Sequence, residues 1–203
     1  MRVICSVIVI AVLLTAITAI SVPLQSPPAQ GVFTSIVSPP SGFSLKGMSE
    51  QSELIIEAHV QSVFASEDIG TGQSHLETDS LILVDRVLKG PQPSPSQVVV
   101  AQVGGTKSGV EVKNVDQDLM KPGEHYVLFL QKIESLPPSP ERTSTLKIRG
   151  NIPRYEIYYK QIGLFQVVNN QIRSGKASDF RSAFNSMSLT DFLGRVTNLL
   201  AAK

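Results

Sequence analysis

The chain has 203 residues, with 18 Lys and Arg against 17 Asp and Glu, and 42% of its residues are hydrophobic. This length allows one domain or two small ones, the near-balanced charge argues against a general nucleic-acid-binding protein, and the apolar content excludes a wholly disordered chain. The single Cys excludes an intrachain disulfide framework and a Cys-based zinc ribbon.

The N-terminus has the pattern of an export signal. Arg2 precedes an almost wholly apolar run from Val3 to Ile20, and small residues close the run at Ala19 and Ser21. This pattern predicts a signal peptide over residues 1–22. An uncleaved membrane anchor is the alternative, because the run approaches the roughly 20 residues that span a bilayer. In both cases we expect an exported protein, secreted, periplasmic or attached to the cell envelope, whose membrane contact is limited to this segment.

Residues 23–46 form a predicted linker, and residues 47–203 form a predicted domain. The linker contains five Pro residues among Ser, Gly and Gln, a composition typical of extended and poorly packed chain. Removal of the signal segment takes away Arg2 and the only Cys, so the exported chain has no net charge and no disulfide. Its stability must then come from a hydrophobic core, for which a domain of this length is sufficient.

Short apolar segments predict strands through most of the domain, and the first of them has a period of two. In the first segment the alternate residues are apolar, and Glu57 and His59 share the opposite face. Asn169 and Asn170 fit a tight hairpin turn, because Asn tolerates a positive φ. The predicted strands cover residues 54–64, 80–88, 97–103, 110–115, 126–130, 155–159, 164–168 and 171–173.

The C-terminal segment changes to helical spacing. Apolar residues recur with this spacing from Phe180 to Met187 and again from Phe192 to Leu200, and Ser188 with Asp191 resembles a capping box. The pattern predicts one or two amphipathic helices that pack on the sheet. Short strands joined by Gly and Pro loops predict a small closed barrel, because closure removes the exposed strand edges. The fold class is therefore predicted as mainly β.

Three segments follow one another in a characteristic order. Residues 52–60 place an acid before an apolar strand, residues 87–91 (Val-Leu-Lys-Gly-Pro) close the second strand, and residues 121–130 begin Lys-Pro-Gly-Glu-His-Tyr. In order and spacing these segments resemble the netrin-like domain, the OB-type barrel of the tissue inhibitors of metalloproteinases. They are also similar to uncharacterised exported bacterial proteins with a later Gly-x-Phe strand, here residues 163–165. The resemblance spans residues 50–173 and implies a closed five-stranded OB-type barrel.

Two pairs of acid and histidine suggest a metal site. Glu57 and His59 are two residues apart, as are His75 and Glu77, so each pair lies on one face of a strand. If the two strands pair, the four side chains can converge, and two His with carboxylates suit zinc. The alternative is that these are ordinary solvent-facing residues, as we expect for His125, which follows a Pro-Gly turn.

Charge is distributed unevenly along the domain. Residues 47–85 contain eight acids and no Lys or Arg, whereas residues 142–176 contain seven basic residues and one acid. This distribution predicts attraction between two regions of the barrel. The alternative is an anion-binding face made by Arg154, Tyr158 and Lys160, because aromatic and cationic side chains alternate in this segment.

Three functional hypotheses follow. The sequence has neither the nucleophile motif of serine hydrolases nor a phosphate-binding loop, and we expect neither an enzyme nor a cofactor. The first hypothesis is an exported, non-enzymatic binding or interaction module, whose partner is a protein or an anionic envelope polymer and not a nucleic acid. The second is a metal-binding protein or metal-dependent enzyme that uses His59 and His75. The third is a structural envelope protein tethered by its N-terminal segment. Inhibition of metalloproteinases is not expected, because those inhibitors chelate zinc through an N-terminal Cys, whereas Cys5 lies inside the apolar segment.

Overall fold

A computed structural model describes residues 30–33, 43–68, 76–114, 118–133, 152–158, 162–174 and 182–202 of the chain. The predicted signal peptide, most of the predicted linker, His75 and Lys160 lie outside these residues. The elements in chain order are β1 (Gln30–Phe33), α1 (Leu45–Gln51), β2 (Leu54–Val63), β3 (Glu67–Asp68), β4 (Leu76–Lys89), β5 (Gln97–Val103), β6 (Gly105–Lys107), β7 (Val110–Asn114), β8 (His125–Lys132), β9 (Arg154–Ile157), β10 (Leu164–Val168), β11 (Gln171–Ser174) and α2 (Leu189–Ala201).

Five strands close into a barrel in the cyclic order β2, β4, β5, β9, β8. Neighbouring strands are antiparallel except β5 and β9, which are parallel and pair Val99 with Arg154. The barrel closes because β9 also pairs with β8, where Leu130 lies opposite Ile157. The prediction of a mainly β chain with a small closed barrel is confirmed, and this mixed five-stranded barrel is compatible with the OB type.

Alternating side chains give each barrel strand an inner and an outer face. On β2 the apolar residues that alternate from Leu54 to Val60 belong to the inner cluster, as the period of two predicts. The inner cluster is made of buried apolar side chains from all five strands and from neighbouring segments: Leu54, Ile56, Ala58, Val60, Ile82, Val84, Val98, Val100, Met120, Tyr126, Leu128, Leu130, Tyr155, Ile157 and Leu164. Packed side chains therefore fill the barrel.

A second apolar core lies on the outer face of the sheet, where the two helices cover it. Ile55 and Phe129 face outward from β2 and β8 and pack with Phe165 of β10, beneath side chains of α1 and α2. β10 and β11 extend the sheet beyond β8 as a hairpin. Its turn residues Asn169 and Asn170 have φ values of 51° and 62°, so the predicted tight turn is confirmed.

α2 begins at the predicted capping residue. The hydroxyl of Ser188 accepts a hydrogen bond from the backbone N–H of Asp191 at 3.0 Å and donates one to the Asp191 carboxylate at 2.7 Å. These bonds satisfy a backbone donor that the first turn leaves open. In the described part of the chain, no helix is long and apolar enough to cross a membrane.

The structure differs from the sequence prediction in several elements, and β1 and β3 lie outside every predicted strand. α1 begins at Leu45, inside the predicted linker. The sequence did not predict this helix, because seven residues are too few to show a clear helical periodicity. Leu45 and Met48 bury it in the outer core. β4 begins at Leu76, earlier than predicted, and β6 occupies residues 105–107, between two predicted strands.

Candidate metal centre

The outer face of β2 carries Glu57 and His59. The two residues are separated by Ala58, which is buried in the barrel, so both point away from the interior. His59 has 45% of its side chain exposed, whereas Glu57 has only 15% exposed. The sequence prediction that these two residues share one strand face is therefore confirmed.

β8 brings a second imidazole to this face. In the antiparallel pairing of β2 and β8, His125 lies directly opposite His59. Opposite residues in such a pair have neighbouring Cβ atoms, and here the two rings stack with centroids 4.1 Å apart and planes 11° apart. His125, expected from sequence to be an ordinary surface residue, is thus a half-buried partner of His59.

A bulge in β4 supplies a carboxylate and a guanidinium. Glu57 pairs with Arg86 and the next residue, Ala58, pairs with Val84, so Asp85 is the extra residue of the bulge. Because a bulge opposes two residues to one, Asp85 and Arg86 both stay on the exposed side instead of alternating. The bulge therefore places two consecutive polar side chains beside His59 and Glu57.

Short polar contacts connect the five side chains. His59 Nδ1 and Asp85 Oδ2 are 2.6 Å apart, and His125 Nε2 is 3.2 Å from Glu57 Oε1. Arg86 donates two hydrogen bonds to the other Glu57 oxygen, Oε2, from Nη2 at 2.6 Å and from Nε at 3.0 Å. The contacts form a chain in which each imidazole faces one carboxylate.

The electrostatics of the cluster favour a neutral imidazole at His125. Burial lowers the pKa of His125, and the neighbouring His59 lowers it further, against the opposing charges of Glu57 and Asp85. The neutral form is the one that offers a lone pair to a metal ion. The lowered pKa of His125 therefore favours the protonation state that metal binding requires.

Three side chains of the cluster can bind one ion together. Ligand atoms of His59, Asp85 and His125 all lie within 4.8 Å of one another. A tetrahedral zinc site has metal–ligand distances near 2.0–2.2 Å, so its ligand atoms are separated by roughly 3.3 Å. The half-exposed side chains of His59 and Asp85 can move apart to this distance from their 2.6 Å contact.

The structure places Glu77, the other described member of the predicted metal set, away from His59. β2 and β4 pair His59 with Leu83, which is six residues from Glu77. At about 3.4 Å per residue, six residues of strand separate the two positions by roughly 20 Å. Glu77 contacts Arg154 instead, and His75 lies outside the described residues.

Arg154, a member of the predicted anion-binding face, is buried against two carboxylates. Its Nε lies 3.1 Å and 3.2 Å from the two carboxylate oxygens of Asp79, and its Nη2 lies 2.7 Å from Oδ1. Nη2 also donates to Glu77, whose pKa is raised by burial despite the nearby guanidinium. The contact joins the acidic and the basic segments of the chain, as predicted for attraction between two barrel regions.

The other two residues of the predicted anion-binding face, Tyr158 and Lys160, offer no free cation in the described part of the structure. Tyr158 is buried, and its hydroxyl donates a hydrogen bond to the Gln51 side chain. Lys160 lies outside the described residues. Anion binding at Arg154, Tyr158 and Lys160 stays a prediction, and Arg154 already has two carboxylate partners.

Sequence reasoning missed Asp85, Arg86 and His125. One signal was available: Asp85 and Arg86 are consecutive polar residues between Val84 and Val87, which breaks the alternation of the strand and indicates a bulge. No comparable signal marks His125, because its place opposite His59 depends on the register between β2 and β8. Register is set by the whole sheet rather than by local sequence.

A scan against models of protein families finds no match for this chain, and a search of curated proteins finds none either.

Proposed function

We propose that this chain is an exported binding module that holds one zinc ion on the outside of its barrel, through His59, Asp85 and His125. The observation that carries the proposal is the convergence of two imidazoles and a carboxylate from three neighbouring strands, with ligand atoms within 4.8 Å of one another. The strands fix the backbone positions of the three residues, and zinc binding requires the two imidazoles to turn out of their stacked arrangement.

The donor set favours zinc over the hard cations. Imidazole nitrogen suits zinc and its transition-metal neighbours, whereas magnesium and calcium require a cage made of oxygen ligands. Three protein ligands leave a fourth position of a tetrahedral ion open to water or to another molecule. The exposure of His59 and Asp85 places that position toward solvent.

Binding rather than catalysis is supported by the distribution of the side chains. The barrel interior is filled by the apolar inner cluster, and the metal ligands lie on the outer face. These ligands therefore do not line the barrel interior, whereas enzyme sites are typically concave and mostly apolar. The zinc ion would therefore serve to hold a partner or to stabilise the module.

Export and the netrin-like relationship are parts of the same proposal. The apolar run after Arg2 supports export, and N-terminal sequencing of the secreted or envelope-attached protein tests cleavage near residue 22. The relationship is supported by the strand order of the barrel. It is also supported by the placement of the three characteristic segments at β2, at the end of β4 and at the turn into β8.

Zinc titration of chelator-treated protein tests the site directly. We expect calorimetry to show one zinc per chain, and we expect His59→Ala, Asp85→Asn and His125→Ala each to weaken binding by more than about 100-fold, since each removes a direct ligand. Magnesium and calcium should not bind at the same concentrations.

His75→Ala is the matched control, because it removes the third histidine of the chain. Retained zinc affinity in this variant, together with loss in His125→Ala, selects the site described here over the set of His59 and His75 predicted from sequence. Wild-type protein that binds no zinc at neutral pH, or three ligand variants with unchanged affinity, would refute the proposed function.

A further inference from the structure

Glu57 is close to the ligands but has both of its carboxylate oxygens engaged. Arg86 donates two hydrogen bonds to Oε2, whereas Oε1 lies 3.2 Å from His125 Nε2. The Glu57 side chain is 15% exposed and the bulge of β4 holds Arg86 against it. Arg86 therefore holds Glu57 in a position where its Oε1 faces Nε2 of His125.

The buried nitrogen of His125 is the one that faces Glu57. Nε2 is inaccessible to solvent and has no hydrogen-bond partner among the described residues, so its 3.2 Å approach to Glu57 Oε1 is a close electrostatic contact. A carboxylate can only accept a hydrogen, so the contact with Glu57 Oε1 is favourable when Nε2 carries the proton. A neutral imidazole with its proton on Nε2 has its lone pair on Nδ1.

We propose that Glu57, held by Arg86, is a positioning residue that fixes the Nε2–H tautomer of His125 and leaves Nδ1 as its metal-binding atom. The inference rests on the proposed zinc site and extends it: the sequence suggested Glu57 as a ligand, whereas this geometry makes it the outer partner of a ligand. Carboxylates that accept from the far nitrogen of a metal-bound histidine orient the ring and increase its basicity.

Arg86 also keeps Glu57 from becoming a zinc ligand. A carboxylate beside a zinc site is itself a possible ligand, and a fourth protein ligand would close the coordination sphere. The two hydrogen bonds from Arg86 keep Oε2 on the guanidinium, and Oε1 faces His125. The pair of Arg86 and Glu57 therefore keeps the fourth position open for a ligand from outside.

Glu57→Gln tests the tautomer because it replaces one oxygen by an amide nitrogen of the same size. Arg86 has only donors, so it selects the amide oxygen and turns the NH₂ group toward His125. His125 Nε2 must then accept, which moves the ring proton to Nδ1 and blocks the metal-binding atom. We expect zinc affinity to fall by about 10–100-fold.

The direct readout is NMR of ring-labelled histidine in metal-free protein at pH 8, where imidazoles are neutral. The His125 signals, assigned with His125→Ala, should show Nε2–H in wild type and Nδ1–H in Glu57→Gln. Glu111→Gln is the matched control, since Glu111 forms a surface pair with Lys113 on a different sheet and should change neither reading.

The two proposals fail in different ways. Wild-type protein that binds no zinc refutes the zinc site, whereas the tautomer is measured without metal. An Nδ1–H tautomer of His125 in wild type, or a Glu57→Gln variant with unchanged tautomer and unchanged affinity, overturns the positioning role of Glu57. A general loss of folding would change the signals of all three histidines and the unfolding curves, so a change confined to the His125 signals excludes it.

Discussion

Arg154→Met is expected to lower the free energy of unfolding by about 3–5 kcal/mol, because it removes the guanidinium that two buried carboxylates, Glu77 and Asp79, contact. The side chains of Arg154, Glu77 and Asp79 are only 8%, 12% and 9% exposed, so water does not replace the lost guanidinium. Methionine fills a similar length with apolar atoms, and the expected loss is therefore that of the charge and its hydrogen bonds. Urea unfolding at pH 7 measures the loss.

The loss of stability caused by Arg154→Met should be smaller at acidic pH. Burial already raises the pKa of Glu77 in the intact protein, and removal of Arg154 raises it further. A carboxyl group whose pKa is higher in the folded state takes up protons on folding, so the stability of the variant rises as the pH falls through that range. The difference between wild type and Arg154→Met should therefore be smaller near pH 4.5 than near pH 7.

Two further variants make this test specific. Arg86→Met removes an arginine whose side chain is 54% exposed, and it should cost less than about 1 kcal/mol. The triple change Glu77→Gln, Asp79→Asn and Arg154→Met removes all three charges and should recover most of the loss. An Arg154→Met variant no less stable than Arg86→Met would show that the buried ion pairs contribute little.

Phe165→Ala is expected to cost about 3–5 kcal/mol, because the ring is fully buried at the centre of the outer core. Its centroid lies 5.7 Å from that of Phe129, 6.0 Å from Phe184 and 4.8 Å from Phe192. The ring thus joins β8 to the C-terminal helix, and its removal leaves a cavity between the sheet and α2. Chemical denaturation measures the change in the free energy of unfolding, from the midpoint of the transition and the slope of its dependence on denaturant.

Leu83→Ala is the matched control for truncation of an apolar side chain. Leu83 lies on β4 and is 44% exposed, so its truncation should change stability by no more than about 0.5 kcal/mol. A Phe165→Ala variant within 1 kcal/mol of this control would mean that the helix does not depend on the outer core.

Much of the fold could be predicted because local rules determine it. Period-two alternation located β2, a run of valines located β5, paired asparagines located the turn between β10 and β11, and Ser188 located the start of α2. Each of these signals is complete within a few residues of sequence. The prediction of a small closed barrel needed one further argument, that a sheet without disulfides must protect its edges.

The site could not be predicted to the same degree, because its residues meet only through register. Glu57 and His59 were recognised from their spacing, but their partners come from β4 and β8, 26 to 68 residues further along the chain. One bulge decides whether Asp85 and Arg86 point outward together, and a one-residue slip between β2 and β8 would separate the two imidazoles. The spacing of acid and histidine associated His59 with Glu77, which the register of β2 and β4 places away from it.

The parallel contact between β5 and β9 determines how the barrel can assemble. β2, β4 and β5 follow one another as antiparallel neighbours, whereas β9 reaches β5 only after the 50 residues between Val103 and Arg154. Such a distant pairing is slow to form. Until it forms, β5 is an edge strand that contains three consecutive valines, Val98 to Val100, and strands of this kind associate with those of other molecules. Docking of β9 therefore protects the chain from self-association during folding.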